Sequence, residues 1–84
     1  MAAKIVRRPY VTEKTFDSIE RQNKLVFLVS DDANKNSIKQ AIYSLYEVKV
    51  ISINTANTIQ GKKAYVRLDP DYSASDLASK LGVL

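Results

Sequence analysis

The residues best equipped for chemistry open the chain: Arg7 and Arg8, then Pro9, Tyr10, Val11, Thr12, Glu13 and Lys14. Proline fixes its own backbone and biases Arg8 toward an extended conformation, so the guanidinium groups project from a strand end. Thr12 is suited to cap a helix, Glu13 falls at the positive end of its dipole, and Val11 is spaced to pack on Phe16. Cations beside exposed helix-terminal amides make a phosphate-binding arrangement; a plain capped helix on a small domain uses the same residues.

A second constellation lies late in the chain, where Ser52, Asn54, Asn57 and Thr58 run into Gln60, Lys62, Lys63, Tyr65 and Arg67. Amides and hydroxyls serve ribose and phosphate, lysines attract the backbone, and Tyr65 offers a ring to an unpaired base. A solvated hairpin guarded by lysines would read the same way. Between the two, Lys35, Lys39 and Lys49 outnumber Glu47, so three basic segments alternate with two acidic ones, at 15–34 and 68–84. If the fold gathers the basic segments onto one side, the net charge of +4 becomes a polyanion-binding footprint.

Composition removes most other chemistry. The 84 residues include no cysteine and no histidine, which excludes disulfides, the usual zinc ligands and the commonest general base. No enzyme, metal or cofactor is expected. Asp31-Asp32 and Asp69-Pro70-Asp71 lack calcium-loop spacing and read as cap and turn residues. The longest apolar run, Leu25 to Val29, is far short of the roughly 20 residues that cross a bilayer, and the first residues lack a signal-peptide core. A soluble, cytoplasmic, single domain over 1–84 is expected, small enough to gain from a large partner.

The elements that must position these residues follow from periodicity. An extended segment at Ala3 to Arg7 leads into a helix from Glu13 to Arg21, with Phe16 and Ile19 on one side. Lys24 to Ser30 is a strand whose five consecutive apolar residues require burial on both faces. Asn34 to Tyr46 carries Ile38, Ala41, Ile42 and Leu45 at helical spacing. Val48 to Thr58 and Lys63 to Leu68 form a hairpin about Gln60-Gly61, and Ser73 caps a last helix that Gly82 stops. A right-handed crossover through the main helix leaves a gap that the last strand fills antiparallel. The expected fold is α/β (α+β): a split β-α-β, mostly antiparallel four-stranded sheet of ferredoxin-like topology, with helices on both faces.

Four ordered blocks carry a family resemblance: Arg8-Pro9 with Val11 to Lys14; Asn34-Lys35 with Ile38-Lys39 and Ala41; Tyr46 to Val50 with Asn54-Thr55; and Gly61 to Leu68. Over nearly its whole length the chain resembles the universal large-subunit ribosomal protein family numbered twenty-three. The resemblance implies a non-catalytic role binding large-subunit ribosomal RNA at the rim of the polypeptide exit tunnel. It also implies a neighbouring partner, large-subunit ribosomal protein twenty-nine, and docking of exit-site factors such as the signal recognition particle. In bacterial members a glutamate matching Glu13 meets the ribosome-bound chaperone; Glu13, Asp17 and Glu20 are spaced as one exposed strip. Bacterial members also carry a long basic extension between the last two strands, whereas here the turn is only Thr58 to Lys62. With the ending from Tyr72 to Gly82, this resembles the archaeal type, so tunnel sensing and recruitment of the bacterial chaperone are not expected.

The expected RNA contacts are Lys4, Arg7, Arg8, Thr12 and Lys14, then Lys35, Asn36 and Lys39, then Asn54, Asn57, Thr58, Lys62, Lys63, Tyr65 and Arg67. Two other classes fit the composition: a ferredoxin-like protein-interaction or regulatory module pairing through its sheet edge, and an acylphosphatase-like hydrolase using Arg7, Arg8 and Asn54. The second lacks a glycine-rich anion loop.

Overall fold

Side-chain caps set the helix boundaries. The computed structural model describes residues 5–82; Lys4, and the Ala3 start expected for the first strand, lie outside that range. Strand β1 (Val6–Pro9) tolerates proline because it is an edge strand. In α1 (Glu13–Gln22), Thr12 Oγ1 accepts from the Thr15 amide at 3.4 Å while Thr15 Oγ1 accepts from the Thr12 amide at 2.6 Å. Asn23 ends it in the left-handed region at φ 55°, which asparagine tolerates better than most residues.

Strand β2 (Lys24–Val29) follows, then α2 (Lys35–Tyr46), capped reciprocally by Asn34 and Ser37 at 2.8 and 3.0 Å. Glu47, at φ 56°, closes α2, so β3 (Val50–Thr58) begins two residues after the expected Val48. The hairpin turns on Ile59-Gln60, one residue early, because Thr58 pairs with Gly61 and donates its hydroxyl to the Gly61 carbonyl at 2.7 Å. Strand β4 (Gly61–Leu68) thereby takes in Lys62, and α3 (Ala74–Lys80) starts at the Ser73 cap.

The sheet order is β1-β2-β4-β3 with every neighbouring pair antiparallel. Strands β2 and β3 are therefore parallel to each other with β4 between them, the split β-α-β arrangement expected from the sequence. Both edge strands are irregular, β1 between Val6 and Arg8 and β3 between Val50 and Ser52.

Helix α1 reaches both sides of the sheet. One core takes Leu25, Phe27 and Val29 of β2 with Ala64, Val66 and Leu68 of β4, and all three helices feed it: Ile19 of α1, Ile38 and Ile42 of α2, and Leu77 of α3. Tyr46 closes its rim by stacking on Phe27 at 5.9 Å between centroids, and burial pushes its phenol above the usual range. On the other face α1 stands beside Val26, its Lys14, Thr15 and Ser18 lining one depression with Val26, Lys63 and Tyr65. Val26 and Leu28 point away from that core yet remain only 3% and 6% exposed. Their cover includes the side chains of the adjacent strands: the register sets Tyr65 beside Val26 and Lys63 beside Leu28. Long amphipathic side chains roof apolar neighbours while keeping polar ends in water, and here they add to the cover that α1 gives this face.

Candidate nucleic-acid interface

Because side chains alternate along a strand, the face opposite α2 and α3 is read off the register. Along β4 it presents Lys63, Tyr65 and Arg67, flanked by Leu28, Val26 and Lys24 of β2 and by Ala56, Asn54 and Ser52 of β3. Arg8 joins beside Leu28, and the Tyr10 amide donates to the Val26 carbonyl at 2.8 Å, bringing Tyr10 level with Tyr65. None of these positions is a carboxylate. Cationic rungs at Lys63 and Arg67 are separated by about 13 Å of strand, with an aromatic rung between them.

The face also has relief. Lys63 Nζ sits 3.8 Å from the centroid of the Tyr10 ring, a cation–π contact of about 0.5–1 kcal/mol that fixes both side chains. Val26, Tyr10, Tyr65 and Lys63 line a depression of about 420 Å³, which α1 borders through its cap Thr12 and through Lys14, Thr15 and Ser18. Phosphate attraction, neutral donors and ring faces therefore occur together on an open, carboxylate-free sheet.

The structure divides the residues expected to contact RNA. Arg8, Asn54, Lys63, Tyr65 and Arg67 share the open face, with Thr12 and Lys14 at its margin and Thr58 at the hairpin end. Lys35, Asn36 and Lys39 stand elsewhere, lining the side of α2 against the exposed edge of β3. Asn57 and Lys62 face each other across the strands on the helix side, because one residue of alternation separates them from Lys63. Lys62 Nζ donates to the Ala33 carbonyl at 2.6 Å, holding the loop before α2. Arg7 falls in the β1 irregularity beside the same loop. There Asp32 has its carboxyl held below the usual range, first by the Ser30 hydroxyl, next by a backbone amide, and with smaller help from Lys62 and Arg7.

A single basic side is therefore not formed, and Lys39 and Lys63 border no common depression. The hydrolase arrangement fails as well: Arg8 on β1 and Asn54 on β3 lie three strand spacings apart, about 14 Å. Glu13, Asp17 and Glu20 are all exposed on α1, as the acidic strip requires.

Sequence reasoning missed Tyr10 and Lys24 as members of the open face. Tyr10 was legible, since it follows Arg8 by two residues in extended backbone and so shares its side. Lys24 was not, because its neighbour Arg67 is set by strand pairing alone.

Comparison with known proteins finds a family and relatives for this chain. Residues 4–69 match the family described as Ribosomal protein L23. Among curated relatives, the large ribosomal subunit protein uL23A of Caenorhabditis elegans is 50% identical over 82 residues, covering 96% of this chain and 56% of the relative. The large ribosomal subunit protein uL23B of the same organism is 47% identical over 81 residues, covering 95% and 56% respectively. The chain thus spans little more than half the length of these relatives. Both are eukaryotic, so the archaeal character expected from the short hairpin draws no support from them.

Proposed function

This chain belongs to the ribosomal protein L23 family, and from that premise we propose that it is a non-catalytic structural constituent of the large ribosomal subunit in the cytoplasm, binding large-subunit ribosomal RNA beside the polypeptide exit tunnel through its open sheet face. The observation that carries this reading is the run of Lys63, Tyr65 and Arg67 on a face without carboxylates, joined by Arg8 and by Tyr10 under the Lys63 ammonium. Such a surface attracts phosphates and offers rings to unpaired bases, in keeping with RNA recognition by shape and stacking. The partners in this reading are the ribosomal RNA, the neighbouring ribosomal protein twenty-nine, and exit-site factors such as the signal recognition particle, which meet the exposed Glu13, Asp17 and Glu20 of α1.

The competing protein-interaction module needs a sheet edge free to pair, and the irregularities in β1 and β3 work against that. Crosslinking in the native subunit, mapped to peptides and nucleotides, tests the proposal. Peptides containing Tyr10, Lys63 or Tyr65 should carry ribosomal nucleotides; crosslinks from this face to proteins alone would refute it. Glu13→Ala should weaken factor docking and leave RNA binding unchanged, and the reverse pattern would remove α1 from the docking surface.

A further inference from the structure

On the far side of β3 from the open face, α2 presents a second organised surface. Its core stripe is Ile38, Ala41 and Ile42, and a second stripe of Asn36, Lys39, Gln40 and Tyr43 repeats at the same helical spacing on a different side. This stripe forms one wall of a groove of about 670 Å³ whose other wall is Val48 to Val50 and whose end is Tyr72. A smaller extension runs on past Lys35 to Ile51 and Ser52 of the β3 edge, where Ser52 also borders the open face.

Three features define what this groove can hold. Its cations are Lys35, Lys39 and Lys49, and no carboxylate lines it or its extension, although Glu47 and Asp71 adjoin it in sequence. Two tyrosines stand at its rim with rings open to solvent, Tyr43 62% and Tyr72 36% exposed. Asn36 and Gln40 supply amides that both donate and accept. Lysines recognise a polyanion, while free rings and paired amides are useful only to bases not already stacked and paired in a duplex. An acidic polypeptide would satisfy the lysines and leave the rings and amides unused.

We propose that the groove between α2 and β3 holds an unpaired RNA segment, distinct from the RNA on the open sheet face, so that the protein clamps two RNA segments against opposite sides of β3. The identity of the polyanion as RNA rests on the proposed function; the geometry gives the two sites different cations and rings, although they adjoin at Ser52.

The test uses this chain with a 12-nucleotide oligouridylate, a 12-base-pair RNA duplex and a polyglutamate peptide, with tyrosine fluorescence and anisotropy as readouts. Lys39→Ala with Tyr43→Ala should weaken oligouridylate binding about tenfold, as loss of one stacked base and one phosphate contact does, and leave duplex binding unchanged. Tyr43→Phe in the presence of Lys39 should retain the affinity. Lys63→Ala with Arg67→Ala should weaken the duplex, and on that background the two groove substitutions should still cost the oligouridylate about tenfold. The proposal is overturned if the groove variant binds oligouridylate as well as the native chain, if duplex displaces oligouridylate completely, or if polyglutamate binds the groove more tightly than the RNA. Duplex binding untouched by Lys63→Ala with Arg67→Ala would instead sink the open-face reading, while the groove proposal would stand on its own variant. Both groove substitutions lie at exposed positions, and an unchanged melting curve confirms that the fold persists.

Discussion

Replacing Lys63 and Arg67 by alanine removes two of the five cations on or bordering the open face, the others being Arg8, Lys14 and Lys24. If each cation neutralises one phosphate, the native chain should bind an RNA duplex with a log–log salt slope of about −4.5, taking about 0.9 per phosphate. Raising salt from about 50 to about 200 mM would then weaken binding roughly 500-fold. With three cations left, the slope falls to about −2.7 and the loss over the same range to roughly 40-fold. The variant should therefore bind more weakly than the native chain at low salt, with the two curves converging as salt rises. Anisotropy of a labelled duplex in a potassium chloride series measures both quantities. Lys14 sits at the margin beside α1, so slopes one phosphate shallower in both proteins remain consistent, provided the difference between them stays near two phosphates. An unchanged slope in the variant would refute the assignment of this face, whatever happened to the affinity at one salt concentration.

Other consequences separate structural residues from binding ones. Lys62→Ala should leave the salt slope unaltered and lower stability by about 1 kcal/mol through loss of the charged bond to the Ala33 carbonyl; a changed slope with unchanged melting would reverse its assigned role. Asn23 donates through Nδ2 to the carbonyls of Leu68, Asp69 and Tyr72 and accepts from the Ala74 amide at 2.7 Å, tying α3 to the end of the sheet. Asn23→Gly, which keeps the left-handed backbone, should cost roughly 2–3 kcal/mol, and Asn23→Ala about 1 kcal/mol more; native-like thermal melting of the glycine variant would contradict the clamp. The Asp32 carboxyl should titrate below the ordinary range by NMR and return toward it in Ser30→Ala. Since its folded value is lowered, any stabilisation is present above the ordinary range and fades as pH falls through the lowered value; an identical titration in Ser30→Ala would discard the hydroxyl as the cause.

The long-range part of the site was harder to read than the local part. Thr12, Asn34 and Ser73 announce their caps because capping is a matter of a few consecutive residues. The hairpin brought Asn54 and Tyr65 together for the same reason, through a turn only two residues long. Five apolar residues in succession announced burial on both faces but not every group that supplies it: Tyr65 and Lys63 from the neighbouring strand cover Val26 and Leu28 beside α1. Lys62 and Lys63 looked equivalent as a basic pair, yet strand alternation sends one to the Ala33 carbonyl and the other to the Tyr10 ring.

What the sequence determined alone was the order and type of the elements, the split β-α-β connection, the core stripe of α2 and the absence of imidazole or thiol chemistry, all of which depend on local spacing or composition. Tertiary structure alone decided which cations share a surface. Pairing of β4 with both β2 and β3 sets Lys24, Lys63 and Arg67 on one face with Tyr10 and Tyr65, while the crossover leaves Lys35 and Lys39 on the other side of the edge strand. Charge along a chain has no direction until strand register gives it one, because a shift of a single residue sends a side chain to the opposite face of the sheet.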